Sequence, residues 1–348
     1  MDLTRIMLLR RYPEPDGKST GIGVYSDSLE SAFQSFNINY GKICFKLNTH
    51  EGYLKSLIYG FIRPFIEILG SDADLYHATD ELCCLYLPFA KGKRITTFHH
   101  MSRGNEGRTP LLYIVWRLAA KMAVKYSDAI IAVSEQTKKE LIDIMGVEEE
   151  KIHVIMHGAN PYFSDLGMSR KKIIGFVGTL IERKNLAGGL RAFKIFTEMP
   201  GTEDYRYVIC GEGPLKGDLV RLADELLISD RVDFISNLRK EELLEFYNTI
   251  SVFANSSMHE GLGLTALEAQ ACGAPVVFFK NANIPLEVTK DFIPSESEYD
   301  FAKKMHELIS EPDKRQAFKN SEKKQLECFE TVIELYDELQ FETNNEKT

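Results

Sequence analysis

Two glutamates flank a glycine-rich turn in the C-terminal half of the chain. Glu260 stands directly before the turn, and Glu268 follows inside a predicted helix, with seven residues between them. Glycine lets a backbone approach a ligand closely and the first amides of a helix attract anions, so the turn suits a diphosphate. The two carboxylates would then accept hydrogen bonds from hydroxyl groups at different places on one extended ligand, unless they are ordinary surface acids. The candidate residues are Glu260, Gly261, Leu262, Gly263, Leu264 and Glu268.

A second candidate segment combines a glycine with two adjacent cations. Gly178 ends the apolar run Ile173–Val177, and Arg183 and Lys184 follow it in the next loop. Two cations at the end of a buried strand can neutralise the charge of a diphosphate leaving group. Neighbouring cations are also common on protein surfaces, so their place after Gly178 is what favours a binding role.

Three further segments end predicted strands or open helices with small or polar residues. Gly211 and Gly213 form a turn after one strand, and Leu238 follows the next. In the first half, a Gly-Ile-Gly sequence opens a helix but lacks the third glycine of a dinucleotide-binding loop. A pair of histidines ends another strand, where one of them could equally be a core residue. These first-half candidates are Gly21, Gly23, His99 and His100.

The elements that must position these residues alternate between short apolar runs and helical segments. This alternation is typical of a parallel sheet covered by helices on both faces, and it occurs twice. The sequence therefore predicts an α/β protein with two doubly wound domains facing each other across a cleft, at 1–163 and 164–320, with a helix at 321–340 packing back on the first. Predicted strands are 5–9, 40–45, 75–78, 94–98, 129–133 and 153–156 in the first half, then 173–177, 205–210, 232–235, 252–254 and 276–279.

Composition narrows the function classes. The apolar fraction of 44% and the charged fraction of 27% fit a folded globular protein. A formal net charge of -9 argues against nucleic acid as the partner. The six cysteines are scattered, and the apolar run before Arg10 is too short for a signal peptide. We expect a cytoplasmic protein.

The motifs together resemble those of the GT-B glycosyltransferases. The Glu260 to Glu268 segment, with its exit through Gly273 and Pro275, is similar to the E-x7-E motif of the large retaining family 4. The resemblance implies that Glu260 binds the hydroxyls of the donor sugar and Glu268 those of the ribose. It also implies that the diphosphate is contacted by Arg183, Lys184, Gly21 and Gly23, and the rest of the nucleotide by Gly178, Gly211, Gly213 and Leu238. Finally, it implies a catalytic role for His99 or for His100. His100 stands where many members of the family have Asp.

The resemblance implies a retaining enzyme that moves a hexose-type sugar from a nucleotide diphosphate sugar to a glycan, glycolipid or other hydroxyl acceptor. The nucleotide sugar is then a co-substrate, and no other cofactor is expected. Asp72 and Asp74 form a D-x-D pair, but they precede a predicted strand, so we predict no catalytic metal. The alternatives are a non-hydrolysing nucleotide-sugar 2-epimerase of the same fold and a catalytically silent regulator that binds a nucleotide sugar.

Two first-half segments raise a membrane hypothesis. The predicted helix 111–125 combines apolar residues, among them Trp116, with three cations, and segment 52–70 adds aromatic residues and two more cations. Such helices can lie on an anionic membrane, which would suit a lipid-linked acceptor and a peripheral position on the inner face of the cell membrane. The alternative is that both segments pack on the sheet of the first domain.

Overall fold

The chain forms two compact units. A computed structural model describes residues 5–11, 21–45, 58–100, 110–310 and 328–339. Unit 1 comprises residues 1–157 and 326–348, and unit 2 comprises residues 158–325.

In its described residues, unit 1 contains a parallel sheet of six strands in the order β2-β1-β3-β4-β5-β6. Register is fixed on both sides of the first strand, where Leu9 lies beside Ile43 on one neighbour and Ala78 on the other. The strands are short apolar runs because both faces of a parallel sheet are covered. They are β1 (Ile6–Arg11), β2 (Tyr40–Phe45), β3 (Leu75–Ala78), β4 (Lys93–Phe98), β5 (Ala129–Ala132) and β6 (Ile152–Val154).

Helices cover both faces of this sheet. Their ends follow local sequence. In the helix Glu135–Met145, for example, the Ser134 hydroxyl accepts a hydrogen bond from the Thr137 amide at 3.1 Å, and Gly146 ends the helix with a φ of 64°. The helices are α1 (Gly21–Ser35), α2 (Arg63–Gly70, preceded by the π turn Ile58–Ile62), α3 (Pro110–Tyr126) and α4 (Glu135–Met145), with 3-10 segments at Glu81–Phe89 and Glu149–Lys151.

A helix from the far end of the chain completes unit 1. Residues 328–339 are helical, and Phe329, Val332 and Tyr336 are buried with Leu29 and Phe33 of α1 against one face of the sheet. On the opposite face, the Glu81–Phe89 segment and α3 form a second apolar cluster. The core of unit 1 therefore takes residues from both halves of the chain.

Unit 2 repeats the plan with six parallel strands in the order β12-β11-β10-β7-β8-β9. Large apolar side chains such as Phe176, Phe193 and Phe301 fill its core. The strands are β7 (Ile173–Val177), β8 (Arg206–Cys210), β9 (Val232–Ile235), β10 (Val252–Asn255), β11 (Val276–Phe279) and β12 (Ile293–Ser295). The helices are α5 (Leu186–Thr197), α6 (Lys216–Glu225), α7 (Lys240–Thr249), α8 (Leu264–Ala271), α9 (Leu286–Thr289) and α10 (Glu298–Ser310), with 3-10 turns at Glu182–Lys184 and Ser229–Arg231.

Two sheets of this kind confirm the predicted α/β class. In each sheet the strand order reverses once, between β1 and β3 in unit 1 and between β7 and β10 in unit 2. Ligands of open parallel sheets bind outside the carboxyl ends of the strands at such switch points. The loops after β1, β3, β7 and β10 are therefore where a site is expected.

Candidate functional site

The loops that follow β7 and β10 are joined by backbone hydrogen bonds, in part through Asn283 of the loop after β11. The Met258 amide donates to the Arg183 carbonyl at 2.8 Å, and the Asn283 amide donates to the Met258 carbonyl at 2.8 Å. The Glu260 amide in turn donates to the Asn283 carbonyl at 3.0 Å. These bonds hold the cations of one loop against the acid of the other at the switch point of unit 2.

Arg183, Lys184 and Glu260 form one ion cluster there. A guanidinium nitrogen of Arg183 donates to Glu260 Oε2 at 2.9 Å and to the His259 carbonyl at 3.0 Å, and Lys184 Nζ donates to Glu260 Oε1. Lys184 and Glu260 are buried, whereas 22% of the Arg183 side chain is exposed. The resemblance implies that the cations bind a diphosphate and the acid a sugar, and the structure places all three side chains in direct contact.

The charge state of the cluster follows from its composition. Burial would raise the pKa of Glu260, but the charges of Lys184 and Arg183 outweigh burial and lower the pKa to about 2. Glu260 is therefore ionised at neutral pH, and two cations with one anion leave a net charge of +1. The cluster can attract an anionic ligand without any change of protonation.

The glycines after β7 and β8 allow their two loops to touch. A Cβ on Gly211 would lie 1.9 Å from the Gly178 carbonyl oxygen, and one on Gly213 would lie 2.4 Å from that of Leu180. The Gly178 amide bonds to the Cys210 carbonyl at 3.0 Å. Gly211 and Gly213 thus allow two backbone segments to approach closely. As a result, the loop after β8 lies beside the loop after β7, which leads to Arg183.

The glycine-rich turn leads from Glu260 into α8. Gly261 and Leu262 are buried, and Gly263 precedes the helix with a φ of 79°, a conformation that glycine adopts without strain. Leu264 is the first helical residue, and within the described chain no side chain caps this end. The first amides of α8 can therefore donate to an anion.

Glu268 lies one turn further along α8 in a different environment. It is buried, and the Tyr247 hydroxyl of α7 donates to its Oε2 at 3.0 Å. Burial raises the pKa of Glu268 to about 7, although the Tyr247 hydrogen bond and the charge of Lys240 both act to lower this pKa. Tyr247 is a site residue that sequence reasoning missed, because it stands 21 positions away on another helix.

Leu238 follows β9 and is half-buried. The Gly211 amide donates to the carbonyl of Ile235, the last residue of β9, at 2.8 Å. The loop that contains Leu238 therefore begins beside the loop that contains Gly211. A ligand bound at the Gly211 loop could extend to Leu238.

In unit 1 the predicted residues lie at the carboxyl ends of β1 and β4. Gly21 is the first residue of α1, and Gly23 lies in its first turn. His99 and His100 follow β4 and are half-buried. His99 Nε2 donates to the Thr79 carbonyl at 2.9 Å, so its Nδ1 carries the lone pair. Burial lowers the pKa of His99 to about 4, which keeps the ring neutral at pH 7.

The end of β3 adds a pair of buried acids that sequence reasoning passed over. Asp80 pairs with Arg11 at the end of β1, and Glu81 Oε1 accepts the indole N–H of Trp116 at 2.8 Å. Burial raises the pKa of Glu81, and the neighbouring charge of Asp80 adds to this effect. The suggestion that Trp116 faces a membrane is wrong, because its ring is buried in the core of unit 1 and tied to Glu81.

Asp72 and Asp74 lie before β3, away from the carboxyl ends of the strands. Asp74 accepts the Arg5 amide at 2.9 Å, and the Arg5 guanidinium pairs with Asp72 at 3.3 Å. Among the residues that the structure describes, no three His, Cys, Asp or Glu side chains cluster as metal ligands would. The described helices also include none long and apolar enough to cross a membrane.

Comparison with protein families finds two matches that divide the chain. Residues 159–325 match the family described as glycosyl transferases group 1, and residues 31–162 match Glycosyltransferase Family 4. Both matches contain predicted site residues, the first those of unit 2 and the second His99 and His100.

Curated relatives match part of the chain. A D-inositol 3-phosphate glycosyltransferase of Corynebacterium jeikeium is 33% identical over 191 residues, 49% of this chain and 46% of the relative. An enzyme of the same name from Mycolicibacterium smegmatis is 33% identical over 184 residues, 48% of this chain and 41% of the relative. The matched segment spans less than half the length of these relatives.

Solved structures match nearly the whole chain. Anabaena HepE in complex with UDP and glucose has a TM-score of 0.71 at 16% identity, covering 96% of this chain and 100% of that one. Sucrose-phosphate synthase of Thermosynechococcus elongatus has a TM-score of 0.73 at 15% identity, covering 97% and 99%. At these identities the likeness establishes the fold.

Proposed function

The chain belongs to the group 1 glycosyltransferases with the GT-B fold, and from this premise we propose that it transfers a hexose from a nucleoside diphosphate sugar to a hydroxyl group of an acceptor. Unit 2 binds the donor and unit 1 the acceptor. The anomeric configuration is retained, and no metal ion takes part.

The proposal rests above all on the ion cluster of unit 2. Glycosyl transfer builds negative charge on the leaving diphosphate, and fixed positive charge at that position lowers the barrier. Arg183 and Lys184 provide this charge at a sheet switch point, beside the uncapped start of α8. Because side chains supply this positive charge, the cluster supports a metal-free reaction.

The state of Glu260 supports retention without a covalent intermediate. Both of its carboxylate oxygens accept hydrogen bonds from cations, and this pairing makes the carboxylate a weak nucleophile. We infer that the acceptor attacks from the face on which the diphosphate departs, and that a diphosphate oxygen takes the proton of the acceptor hydroxyl. Glu260 then accepts hydrogen bonds from sugar hydroxyls while it stays bound to Arg183 and Lys184.

In unit 1, His99 is suited to bind a neutral hydroxyl. Its Nε2–H is used by the Thr79 carbonyl, and burial keeps the ring uncharged. The lone pair on Nδ1 can accept a hydrogen bond from a hydroxyl of the sugar or of the acceptor.

Incubation with labelled UDP-glucose tests the function, since structures of the same fold were solved with UDP and UDP-glucose. We expect sugar transfer to a glycan acceptor fraction, with retention detected by NMR of the product, and unchanged rates in EDTA. Lys184→Gln should abolish transfer, whereas Lys290→Gln, at an exposed position of unit 2, should not. Isomerisation of the nucleotide sugar without transfer would favour the epimerase, and binding without reaction would favour the regulator. Loss of transferase activity in EDTA, with recovery of activity in Mn²⁺, would refute the metal-free mechanism.

We further propose that the acceptor is presented at an anionic lipid surface, on the outer face of α2 and α3. Ile58, Ile62 and Ile66 recur every four residues along one exposed stripe, and Phe89 continues it where its ring meets Phe65 at 5.1 Å. Helix α3 adds the exposed Ile114 and Leu118 together with three exposed cations, and it contains no acid. Exposed apolar side chains beside positively charged ones are typical of helices that lie at a membrane interface. The three cations are Arg117, Lys121 and Lys125.

Sedimentation with vesicles tests this surface. We expect binding to vesicles that contain phosphatidylglycerol and none to neutral phosphatidylcholine, with binding lost in the variant Lys121→Glu with Lys125→Glu. The matched control is Lys280→Glu with Lys290→Glu, which changes the net charge equally at exposed positions of unit 2. Absence of pelleting with either lipid, or equal loss in the control, would refute a lipid-facing surface on unit 1.

A further inference from the structure

One carboxylate oxygen of Glu268 is already engaged before any ligand binds. Within the described part of the chain, the side chain of Glu268 makes one hydrogen bond, from the Tyr247 hydroxyl to Oε2. Its other oxygen, Oε1, accepts none from those residues. A buried carboxylate with one unused oxygen points to a ligand that donates to it.

Tyr247 is held rigidly enough to orient that carboxylate. Its ring is fully buried, with the Phe163 ring edge-on at 5.5 Å and the Phe253 ring tilted at 6.1 Å. Two torsions define the hydroxyl position of a tyrosine, and the packed ring fixes both. The hydroxyl can therefore select one rotamer of Glu268.

Arg170 ties the two helices that carry this pair. Its guanidinium donates to the Tyr247 carbonyl at 2.8 Å and to the Cys272 carbonyl at 2.7 Å. These carbonyls lie at the C-terminal ends of α7 and α8, where a cation is favourable. One side chain thus fixes the ends of both helices, and with them the distance between Tyr247 and Glu268.

We propose that Tyr247 is a positioning residue for donor binding: its hydroxyl holds Glu268 Oε2, so that Oε1 is turned toward a vicinal diol of the nucleotide. This inference rests on the proposed function, because it requires that unit 2 binds a nucleotide. A diol donates two hydrogen bonds and is best matched by an ionised carboxylate, which accepts without donating.

The proposal makes donor affinity depend on pH in a specified direction. Burial brings the pKa of Glu268 to about 7, so affinity rises as pH increases through this value. The Tyr247 hydrogen bond favours the ionised form, and its loss moves the rise to higher pH. The other titratable groups that act on the pair are Lys240, Cys210 and Cys272.

Calorimetric titration with UDP, between pH 5.5 and 9, tests the proposal. In wild type we expect affinity to rise through pH 7, and in Tyr247→Phe the midpoint should move up by about one pH unit, the effect of losing a hydrogen bond to a charged group. Affinity should return close to the wild-type value at pH 9. Glu268→Gln should lack the rise, while titration of the diphosphate itself is common to every variant.

Tyr207→Phe is the matched control. Tyr207 is another fully buried tyrosine of unit 2, and its hydroxyl has no hydrogen-bond partner among the described residues. Its removal should leave the pH profile unchanged. In the Glu268→Gln background, Tyr247→Phe should have no further effect, because Tyr247 acts through Glu268.

Three results would overturn the proposal in distinguishable ways. A Tyr247→Phe profile that superimposes on wild type shows that the hydroxyl does not act on Glu268. An equal loss of affinity at every pH, repeated in the Glu268→Gln background, shows a merely structural role for Tyr247. Absence of binding of UDP, ADP and GDP to wild type refutes the proposed function itself.

Discussion

Glu260 and Glu268 are both buried at one edge of the unit 2 sheet, yet their environments are opposite. Two cations hold Glu260 and lower its pKa to about 2, whereas a tyrosine hydroxyl holds Glu268, whose pKa burial raises to about 7. Burial alone would raise both pKa values. The difference shows that the partner of a buried acid decides whether its charge is permanent or depends on pH.

This difference suits two tasks. In the proposed reaction, a permanently ionised Glu260 would meet the reacting phosphate and sugar, where a change of charge would alter the reaction. Glu268 would bind hydroxyls away from the reacting bond, where it contributes affinity. Substitutions at the two positions should therefore differ in size, in sign and in pH dependence.

The largest effect is expected from Glu260→Gln. Replacing the acid removes the negative charge that both Lys184 and Arg183 contact in a largely buried cluster, which should cost about 3 kcal/mol of unfolding free energy at pH 7. A pKa lowered in the folded state contributes stability that is present above about 4.5 and is lost as pH falls through about 2. Urea unfolding at pH 7 measures the loss, with Glu241→Gln as the exposed control. Equal stability of Glu260→Gln and wild type would refute the ion cluster.

A smaller effect of opposite sign is expected from Glu268→Gln. The raised pKa means that ionised Glu268 destabilises the folded state, a cost that is absent below about 4.5 and complete as pH rises above about 7. Relative to wild type, the variant should gain roughly 2 kcal/mol between pH 5 and pH 8.5. Melting curves over this range measure the gain. A variant that is less stable than wild type at pH 8.5 would contradict the assignment of a buried, weakly compensated acid.

The smallest effect should come from Arg183→Lys, which keeps the positive charge. The lysine can pair with Glu260 but loses the fixed fork that also reaches the His259 carbonyl, so affinity for UDP should fall by a factor of about 5, the value of roughly one hydrogen bond. Arg183→Gln should lose considerably more. Identical dissociation constants for the two variants would mean that charge at this position does not bind the diphosphate.

Much of the fold could be predicted because its signals are local. The apolar runs at Ile173–Val177 and Val276–Phe279 coincide with β7 and β11 in both bounds. By contrast, β12 escaped prediction because it is a three-residue strand containing Pro294, and α10 because it is rich in charged residues. Short edge strands and solvated helices owe their form to their neighbours more than to their own sequence.

The residues of the candidate site could be proposed from the sequence, but the contacts among them could not. Glycine spacing and charge indicate Arg183, Lys184 and Glu260, because turns and loops have local sequence signatures. The hydrogen bond from Tyr247 to Glu268 joins two helices, and no spacing in the sequence indicates it. The opposite pKa shifts of the two glutamates depend on such long-range pairs, so they become visible only in the folded chain.

The helix at residues 328–339 gives unit 1 a late step in its assembly during synthesis. Phe329, Val332 and Tyr336 cover Leu29 and Phe33 of α1, but they leave the ribosome only after the whole of unit 2. Domains fold as their chains emerge from the ribosome. Unit 2 can therefore complete its core before the helix at residues 328–339 is available to pack on α1. During that interval the face of α1 that carries Leu29 and Phe33 lacks these contacts. We expect a chaperone to protect this face in the nascent chain.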